Sequence, residues 1–200
     1  LNSRETKIAI VGFGYIGTCI GAVLAHRGFK VVGVDTNAKI IEEINNGYTS
    51  IREPGLSELV ASSKSNLSAT KDFSVLSESD VIIVTVGTPL NSDFSPNNEQ
   101  IIAASEAMVP YLNSEQVIIL KSTVPPNTTK DIVAPILSKG VKNSNLLLSF
   151  CPERLAEGKA IEEFNQFPVI VGGIDKQSTD FSSEFWKRAM NLETILMSNS

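Results

Sequence analysis

The sequence KIAIVGFGYIG, residues 7–17, decides the fold of this chain. Its apolar run ends in Gly12-Phe13-Gly14-Tyr15-Ile16-Gly17, a G-x-G-x-x-G spacing, and a helical pattern follows directly. A second apolar run ends at Asp35, 18 residues beyond Gly17. G-x-G-x-x-G alone is a weak signal, but strand, glycine loop, helix, strand and terminal acid together form a dinucleotide-binding fingerprint.

Each residue of this fingerprint has a physical reason. Gly12 permits the tight turn, Gly14 lets a pyrophosphate approach the backbone, and Gly17 lets the helix pack close to the sheet. The helix N-terminus offers unpaired N–H groups to the phosphates. Asp35 is predicted to accept hydrogen bonds from the adenosine ribose and to repel a 2′-phosphate, which favours NAD over NADP. The alternative is a packing turn, with Asp35 as an ordinary helix N-cap.

Runs rich in Val and Ile alternate with helical patterns along the rest of the chain, which is typical of a parallel sheet with crossover helices. Strands are predicted at residues 7–11, 30–35, 67–70, 81–86, 116–120, 146–150, 168–172 and, more weakly, 192–197. Helices are predicted at residues 15–27, 38–46, 98–112, 128–139 and 178–190, with left-handed caps at Gly28, Gly47 and Gly140. The predicted fold class is α/β, a Rossmann-like, doubly wound and mainly parallel sheet of about eight strands with helices on both faces, in a single domain over residues 1–200.

Composition argues against several classes of protein. Two cysteines, one histidine and a net charge of −5 do not fit a disulfide scaffold, a zinc module, or a nucleic-acid or anionic-membrane partner. We therefore predict no metal site and a cytoplasmic location. Residues 8–25 carry no charge and have the length of a signal or membrane segment, but their four glycines favour a strand followed by a helix.

Polar residues follow three of the predicted strands, at the edge where an open parallel sheet binds its ligands. Thr88 lies in VGTP and Thr123 in KSTVP, and either hydroxyl can contact a ligand or only support a turn beside proline. Glu153 and Glu157 are four residues apart in PERLAEG, so on a helix they would share a face and could divide acid and base work. The alternative is a solvated first helical turn.

These motifs together resemble the N-terminal domain of the UDP-glucose/GDP-mannose dehydrogenase family. The resemblance covers essentially the whole chain and rests on GFGYIG with Asp35, Glu53-Pro54-Gly55-Leu56, VGTP, KSTVP, PERLAEGKAIEEF and Val171-Gly172-Gly173. It implies oxidation of the C6 hydroxyl of a nucleotide sugar to a carboxylate with two NAD molecules. The implied intermediates are an aldehyde and a cysteine-bound thiohemiacetal and thioester.

The resemblance also implies roles for particular residues. The cofactor-binding residues would be Gly12, Phe13, Gly14, Tyr15, Ile16 and Gly17 at the pyrophosphate, Asp35 at the ribose, Lys39 beside the adenosine, and Thr88, Thr123 and Glu157 near the nicotinamide. The substrate-binding loop would be Glu153, Arg154, Leu155, Ala156 and Glu157. Thr123, Glu153 and Glu157 are the implied catalytic residues, and Thr123 and Glu157 would position the water for thioester hydrolysis.

Two departures from the family pattern matter. Glucose-specific members usually carry Phe or Tyr in place of Arg154, and PER is more similar to relatives that oxidise UDP-N-acetylhexosamines, so both sugars stay open. The family's nucleophilic Cys, its catalytic Lys and Asn, and its UDP-binding domain lie beyond residue 200. We therefore expect a fragment that binds NAD but is inactive alone, from an enzyme that forms a homodimer or larger assembly through a central helix.

Neither cysteine of the chain matches the family's nucleophile. Cys151 precedes PER at a position where the family tolerates Asn or Ser, and Cys19 lies on the first predicted helix, so both are expected in the core. The alternative function is a non-catalytic NAD-sensing or interaction module with the same fold.

Overall fold

The computed structural model describes residues 6–141 and 145–197. Within them, eight strands form one sheet: β1 Lys7–Val11, β2 Lys30–Val34, β3 Leu67–Thr70, β4 Val81–Val84, β5 Val117–Leu120, β6 Leu147–Phe150, β7 Val169–Gly173 and β8 Thr194–Leu196. Their order across the sheet is β3-β2-β1-β4-β5-β6-β7-β8. Strands β1 to β6 are parallel, β7 is antiparallel to β6, and β8 is parallel to β7. The predicted mainly parallel α/β sheet is confirmed.

The helices connect the strands and cover both faces of the sheet. They are α1 Tyr15–His26, α2 Ala38–Asn46, α3 Leu56–Ser62, α4 Glu99–Met108, α5 Ala134–Leu137, α6 Ala160–Gln166 and α7 Lys176–Met190. Short 3₁₀ segments span Phe73–Glu78 and Val109–Tyr111, and a π-helical turn, Thr129–Val133, leads into α5. The predicted helices at 98–112 and 128–139 are therefore composite. Pro110 and Pro135 lie at their changes of helix type, where the missing N–H breaks the regular ladder.

Alternate side chains of the strands point to the two faces of the sheet and build two cores. In β1, Ile8 and Ile10 pack in a core with α1, α6 and α7, whereas Ala9 and Val11 pack in the opposite core with α4 and α5. The uncharged residues 8–25 are thus a buried strand, a loop and most of α1. None of the helices in the described ranges is both long and apolar enough to cross a membrane.

The glycine caps follow the prediction at two of three positions. Gly28 has φ 96° and Gly47 has φ 82°, so both adopt the left-handed conformation after their helices. The predicted left-handed cap at Gly140 is wrong, since its φ is not positive. A Cβ there would lie 2.3 Å from the Val109 carbonyl oxygen, so Gly140 provides a close approach of two backbone segments.

Candidate cofactor and substrate site

The three glycines of the loop between β1 and α1 meet different surroundings. Gly12 has φ 89°, and a Cβ on it would lie 2.7 Å from the Val86 nitrogen. A Cβ on Gly17 would lie 2.2 Å from the Gly12 carbonyl oxygen, so the close fit of α1 requires glycine there. Gly14 has no atom within 4 Å of its Cβ position, which leaves open space at the N-terminus of α1.

The side chain of Phe13 points away from that open space into the core. Its ring is fully buried. A Cβ on Gly33 would lie 2.3 Å from the ring, and one on Gly21 would lie 2.7 Å from it. The loop therefore anchors itself in the core through this ring, a contact that the glycine spacing does not reveal.

Asp35 is held against the glycine loop by two backbone donors. Its Oδ2 accepts a 2.6 Å hydrogen bond from the Phe13 N–H, and its Oδ1 accepts a 2.8 Å bond from the Asn37 N–H. The alternative assignment of Asp35 as the N-cap of α2 is wrong, because Asn37 is the N-cap and its side chain accepts from the Lys39 N–H. Each oxygen of Asp35 keeps a lone pair for a ligand hydroxyl.

A cleft of about 500 Å³ opens beside Gly14 and Asp35. Small side chains of α4, Ala103, Ala104 and Ala107, line its far wall. The cleft thus combines an apolar wall with a carboxylate and a glycine backbone, which suits a nucleoside and its phosphates. Lys39 is not among its lining residues: this side chain is 73% exposed, and its Nζ lies 3.7 Å from Oε1 of Glu43.

The segments that follow β4 and β5 are bonded to each other. Thr88 donates its hydroxyl to the Thr123 carbonyl oxygen at 2.6 Å, and Ser122 donates to the Val86 carbonyl oxygen at 2.7 Å. Thr85 in turn donates to the Gly12 carbonyl oxygen at 2.5 Å, which joins this edge to the glycine loop. The structure therefore brings Thr88 and Thr123 together, with the Thr123 side chain exposed.

Glu153 and Glu157 do not share a helical face, and the alternative of a first helical turn does not hold either. Residues 151–156 form no regular structure, and α6 begins only at Ala160. Glu153 Oε1 accepts from the N–H groups of Arg154 and Leu155, at 2.7 and 3.0 Å. Such local side-chain bonds compete with a helix for the backbone donors.

Glu153 also faces a buried lysine at the end of β5. Its Oε2 lies 3.2 Å from Lys121 Nζ but is not aligned for a hydrogen bond, so the contact is an ion pair. The Lys121 side chain is 3% exposed, donates to the Cys151 carbonyl oxygen at 3.3 Å, and lies 5.1 Å from the Trp186 ring centroid. Sequence reasoning missed Lys121, although a lysine directly after VIIL was a usable signal.

The rest of the predicted substrate loop is fixed by its own contacts. Arg154 donates to the Pro168 carbonyl oxygen at 2.5 Å and lies over the Phe167 ring. Leu155 packs against the core of α1, and the Ala156 N–H donates to Glu163 Oε2 at 2.7 Å. Glu157, the last residue of the loop, is exposed.

Tyr15, at the start of α1, meets this loop through Glu53. The Tyr15 hydroxyl donates to Glu53 Oε2. The Gly158 N–H donates to the Tyr15 hydroxyl oxygen at 3.0 Å and to Glu53 Oε2 at 2.8 Å. Burial, and next the hydrogen bond to Glu53, raise the pKa of Tyr15 to about 12. The sequence placed Tyr15 at the pyrophosphate through its backbone only and gave Glu53 no role.

Both cysteines are buried, as predicted. Burial raises the pKa of Cys19 to about 12 and also raises the pKa of Cys151. We therefore expect both thiols of the folded protein to react with a disulfide reagent at neutral pH more slowly than free cysteine, by about 10³-fold for Cys19, because the thiolate is the nucleophile. The same assay in denaturant should titrate two thiols per chain, and rapid reaction of the folded protein would contradict the burial.

Residues 6–190 match the family model described as "UDP-glucose/GDP-mannose dehydrogenase family, NAD binding domain". UDP-N-acetyl-D-mannosamine dehydrogenase of Methanococcus maripaludis is 36% identical over 185 residues, which cover 90% of this chain and 42% of that protein. UDP-glucose 6-dehydrogenase of Bacillus subtilis is 31% identical over 186 residues, with the same two shares. The crystal structure of NDP-N-acetyl-D-galactosaminuronic acid dehydrogenase from Methanosarcina mazei has a TM-score of 0.90 at 29% identity, over 98% of this chain and 44% of that one.

The chain thus spans less than half the length of these relatives. The family match nevertheless covers almost all of the chain, including the glycine loop, Asp35 and the loop from Glu153 to Glu157. The predicted family and the predicted cofactor are therefore confirmed. The chain belongs to the UDP-glucose/GDP-mannose dehydrogenase family and is its NAD-binding domain.

Proposed function

We propose that the protein to which this chain belongs oxidises the C6 hydroxyl of a UDP-sugar to the uronic acid. One observation carries the proposal: the glycine loop, Asp35 and the loop of Glu153 and Glu157 meet at one end of the sheet, with Gly158 bonded to Tyr15. Two relatives are named for UDP-N-acetyl-D-mannosamine and UDP-glucose, which supports these two sugar classes. We further propose a single domain for this chain, a cytoplasmic location and a homodimer or larger assembly.

The residues around the cleft fit NAD, which when bound supplies the acceptor for the hydride of the substrate. The open space at Gly14 would admit a pyrophosphate, and the first N–H groups of α1 would donate to it. The Phe13 and Asn37 N–H groups orient the Asp35 carboxylate, so its free lone pairs can accept from two ribose hydroxyls. The apolar wall of α4 would pack against the adenine.

The residues beyond the nicotinamide end would handle the substrate. Thr123 and Glu157 are exposed, and they would hold and polarise the water that attacks the thioester. Glu153 would contact the sugar, and its carboxylate, whose charge Lys121 balances, would accept a proton from the C6 hydroxyl once it releases a backbone N–H. Arg154 would act in the choice of sugar, since the family resemblance places it where glucose-specific members usually carry Phe or Tyr.

The test compares the 200-residue chain with the complete protein in NAD and a panel of UDP-sugars, with formation of NADH as the readout. The complete protein is expected to oxidise UDP-N-acetylhexosamine or UDP-glucose, and the chain alone is expected to bind NAD without turnover. NAD binding without turnover by the complete protein would favour the non-catalytic module instead. Turnover by the chain that disappears in Cys151→Ser would show that the core assignment of Cys151 is wrong.

Asp35→Ala is expected to weaken NAD binding about 10- to 100-fold, because the ribose loses a charged hydrogen-bond acceptor. The same change is expected to reduce the preference for NAD over NADP, since no carboxylate then repels the 2′-phosphate. Calorimetry with both cofactors measures the two effects. Asp180→Ala removes an exposed acid on α7, which does not line the cleft; it is the control and should leave both affinities unchanged. Equal binding of NAD and NADP by the unsubstituted protein would contradict the assignment.

A further inference from the structure

Glu53 lies in the segment between α2 and α3, where neither the fold nor the proposed chemistry requires an acid. It is nevertheless 8% exposed. Its Oε2 accepts from the Tyr15 hydroxyl and, at 2.8 Å, from the Gly158 N–H. Its Oε1 accepts from the Ile161 N–H at 3.3 Å. One carboxylate therefore connects three segments of the chain: the start of α1, the end of the Glu153 to Glu157 loop, and the first turn of α6.

A buried carboxylate of this kind holds its donors firmly. Charge-assisted hydrogen bonds are stronger than neutral ones, and removing one partner leaves the others buried and unpaired. The Gly158 N–H is placed for this contact by a left-handed backbone, φ 85°. Because Gly158 directly follows Glu157, the contact fixes the peptide of Glu157 relative to Tyr15, whose own N–H lies in the first turn of α1 beside the pyrophosphate space.

We propose that Glu53 and Tyr15 are positioning residues that couple the NAD site to the loop from Glu153 to Glu157. They would act together, since Gly158 donates to both. With the junction intact, the peptide between Glu157 and Gly158 stays fixed relative to Tyr15 at the start of α1. By reciprocity, a ligand on either side of the junction strengthens binding on the other side. The effect of the junction on NAD binding can be tested with the cofactor alone, whereas its effect on binding of the sugar rests on the proposed function.

The first test is a double-mutant cycle on NAD affinity, measured by calorimetry. Tyr15→Phe keeps the ring and removes the shared hydroxyl, and Glu53→Gln replaces one acceptor oxygen by a donor. Each single variant is expected to bind NAD about tenfold more weakly. The double variant is expected to bind NAD no more weakly than the worse single variant, because all three variants lose the same junction. Affinity losses that simply multiply in the double variant would overturn the coupling.

Two control variants separate the junction from general damage to the fold. Tyr111→Phe removes a tyrosine hydroxyl from the opposite core. Gln116→Leu removes hydrogen bonds to Asn113 and Leu76, which precede β5 and β4, whereas the glycine loop follows β1 at the other edge of this parallel sheet. Both should keep the NAD affinity of the unsubstituted protein within about twofold, even where the melting temperature falls. If Glu53→Gln fails to fold, Tyr15→Phe with its Tyr111→Phe control decides the question.

A spectroscopic readout tests the position of the loop directly. In protein labelled with ¹⁵N-glycine, the Gly158 amide resonance is expected to shift on addition of NAD, with the dissociation constant found by calorimetry. In Tyr15→Phe this shift is expected to shrink. The proposal would be overturned if the Gly158 resonance did not shift on addition of NAD and if Tyr15→Phe and Glu53→Gln both kept the NAD affinity of the unsubstituted protein. This result would leave the proposed oxidation untouched, since that fails only if the complete protein turns over no UDP-sugar.

Discussion

Gly17→Ala is expected to weaken NAD binding by at least about 100-fold, which corresponds to about 2.7 kcal/mol. The new methyl group would lie 2.2 Å from the Gly12 carbonyl oxygen and 2.8 Å from Thr85 Oγ1. Neither atom can retreat alone, because the Thr85 hydroxyl donates to this same Gly12 carbonyl oxygen. The start of α1 must therefore move away from the sheet, and overpacking of this kind also lowers the free energy of unfolding by about 1–3 kcal/mol.

Gly14→Ala is the matched control for this prediction. Its Cβ meets no atom of the protein within 4 Å, and its φ of −69° suits alanine. We expect Gly14→Ala to keep the stability of the unsubstituted protein and to lose NAD affinity only through contact with the pyrophosphate. Calorimetry and denaturant unfolding of both variants measure the two effects. If Gly17→Ala bound NAD within tenfold of the affinity of the unsubstituted protein, the loop would be shown to tolerate a displacement of α1.

Glu157→Gln is expected to reduce turnover of the complete enzyme by about 10² to 10⁴, the range found for a positioned acid or base. Binding of the nucleotide sugar should change much less, because the proposed task of Glu157 is to hold the hydrolytic water in the later steps. The measurement is steady-state formation of NADH, with the fall in kcat compared with the change in KM.

Glu162→Gln provides the control, since Glu162 is an exposed acid on the neighbouring helix α6. It should leave both kcat and KM as they are. An unchanged rate in Glu157→Gln as well would return Glu157 to the simpler interpretation of a solvated turn residue.

The sheet could be predicted because its signal is local. Each predicted strand exists, with boundaries that differ from the prediction by at most two residues, since a buried parallel strand is a continuous run of apolar residues between polar ones. Helices α3 and α6 were missed because seven residues complete only two turns and show little periodicity. The composite helices were merged because the apolar pattern continues across Pro110 and Pro135.

The site was predictable where spacing alone fixes a role. Gly12 and Gly17 meet the close contacts that the fingerprint requires. The bond from Gly158 to Glu53 joins residues 105 positions apart, and the ion pair between Lys121 and Glu153 joins two loops. No periodicity links such residues. A buried acid between two polar turns also looks in the sequence like any surface acid, so its importance becomes visible only in three dimensions.

The buried ring of Phe13 limits how this protein can evolve. It fills the volume above Gly33 and beside Gly21, so a side chain at either glycine has no room while the ring is present. A smaller residue at position 13 would open that volume and leave a cavity under α1. If these positions change by single substitutions, a smaller residue must replace Phe13 before a larger residue can replace Gly33 or Gly21. Substitutions at these three positions therefore depend on one another, and the order in which they occur decides whether the intermediate sequences still fold.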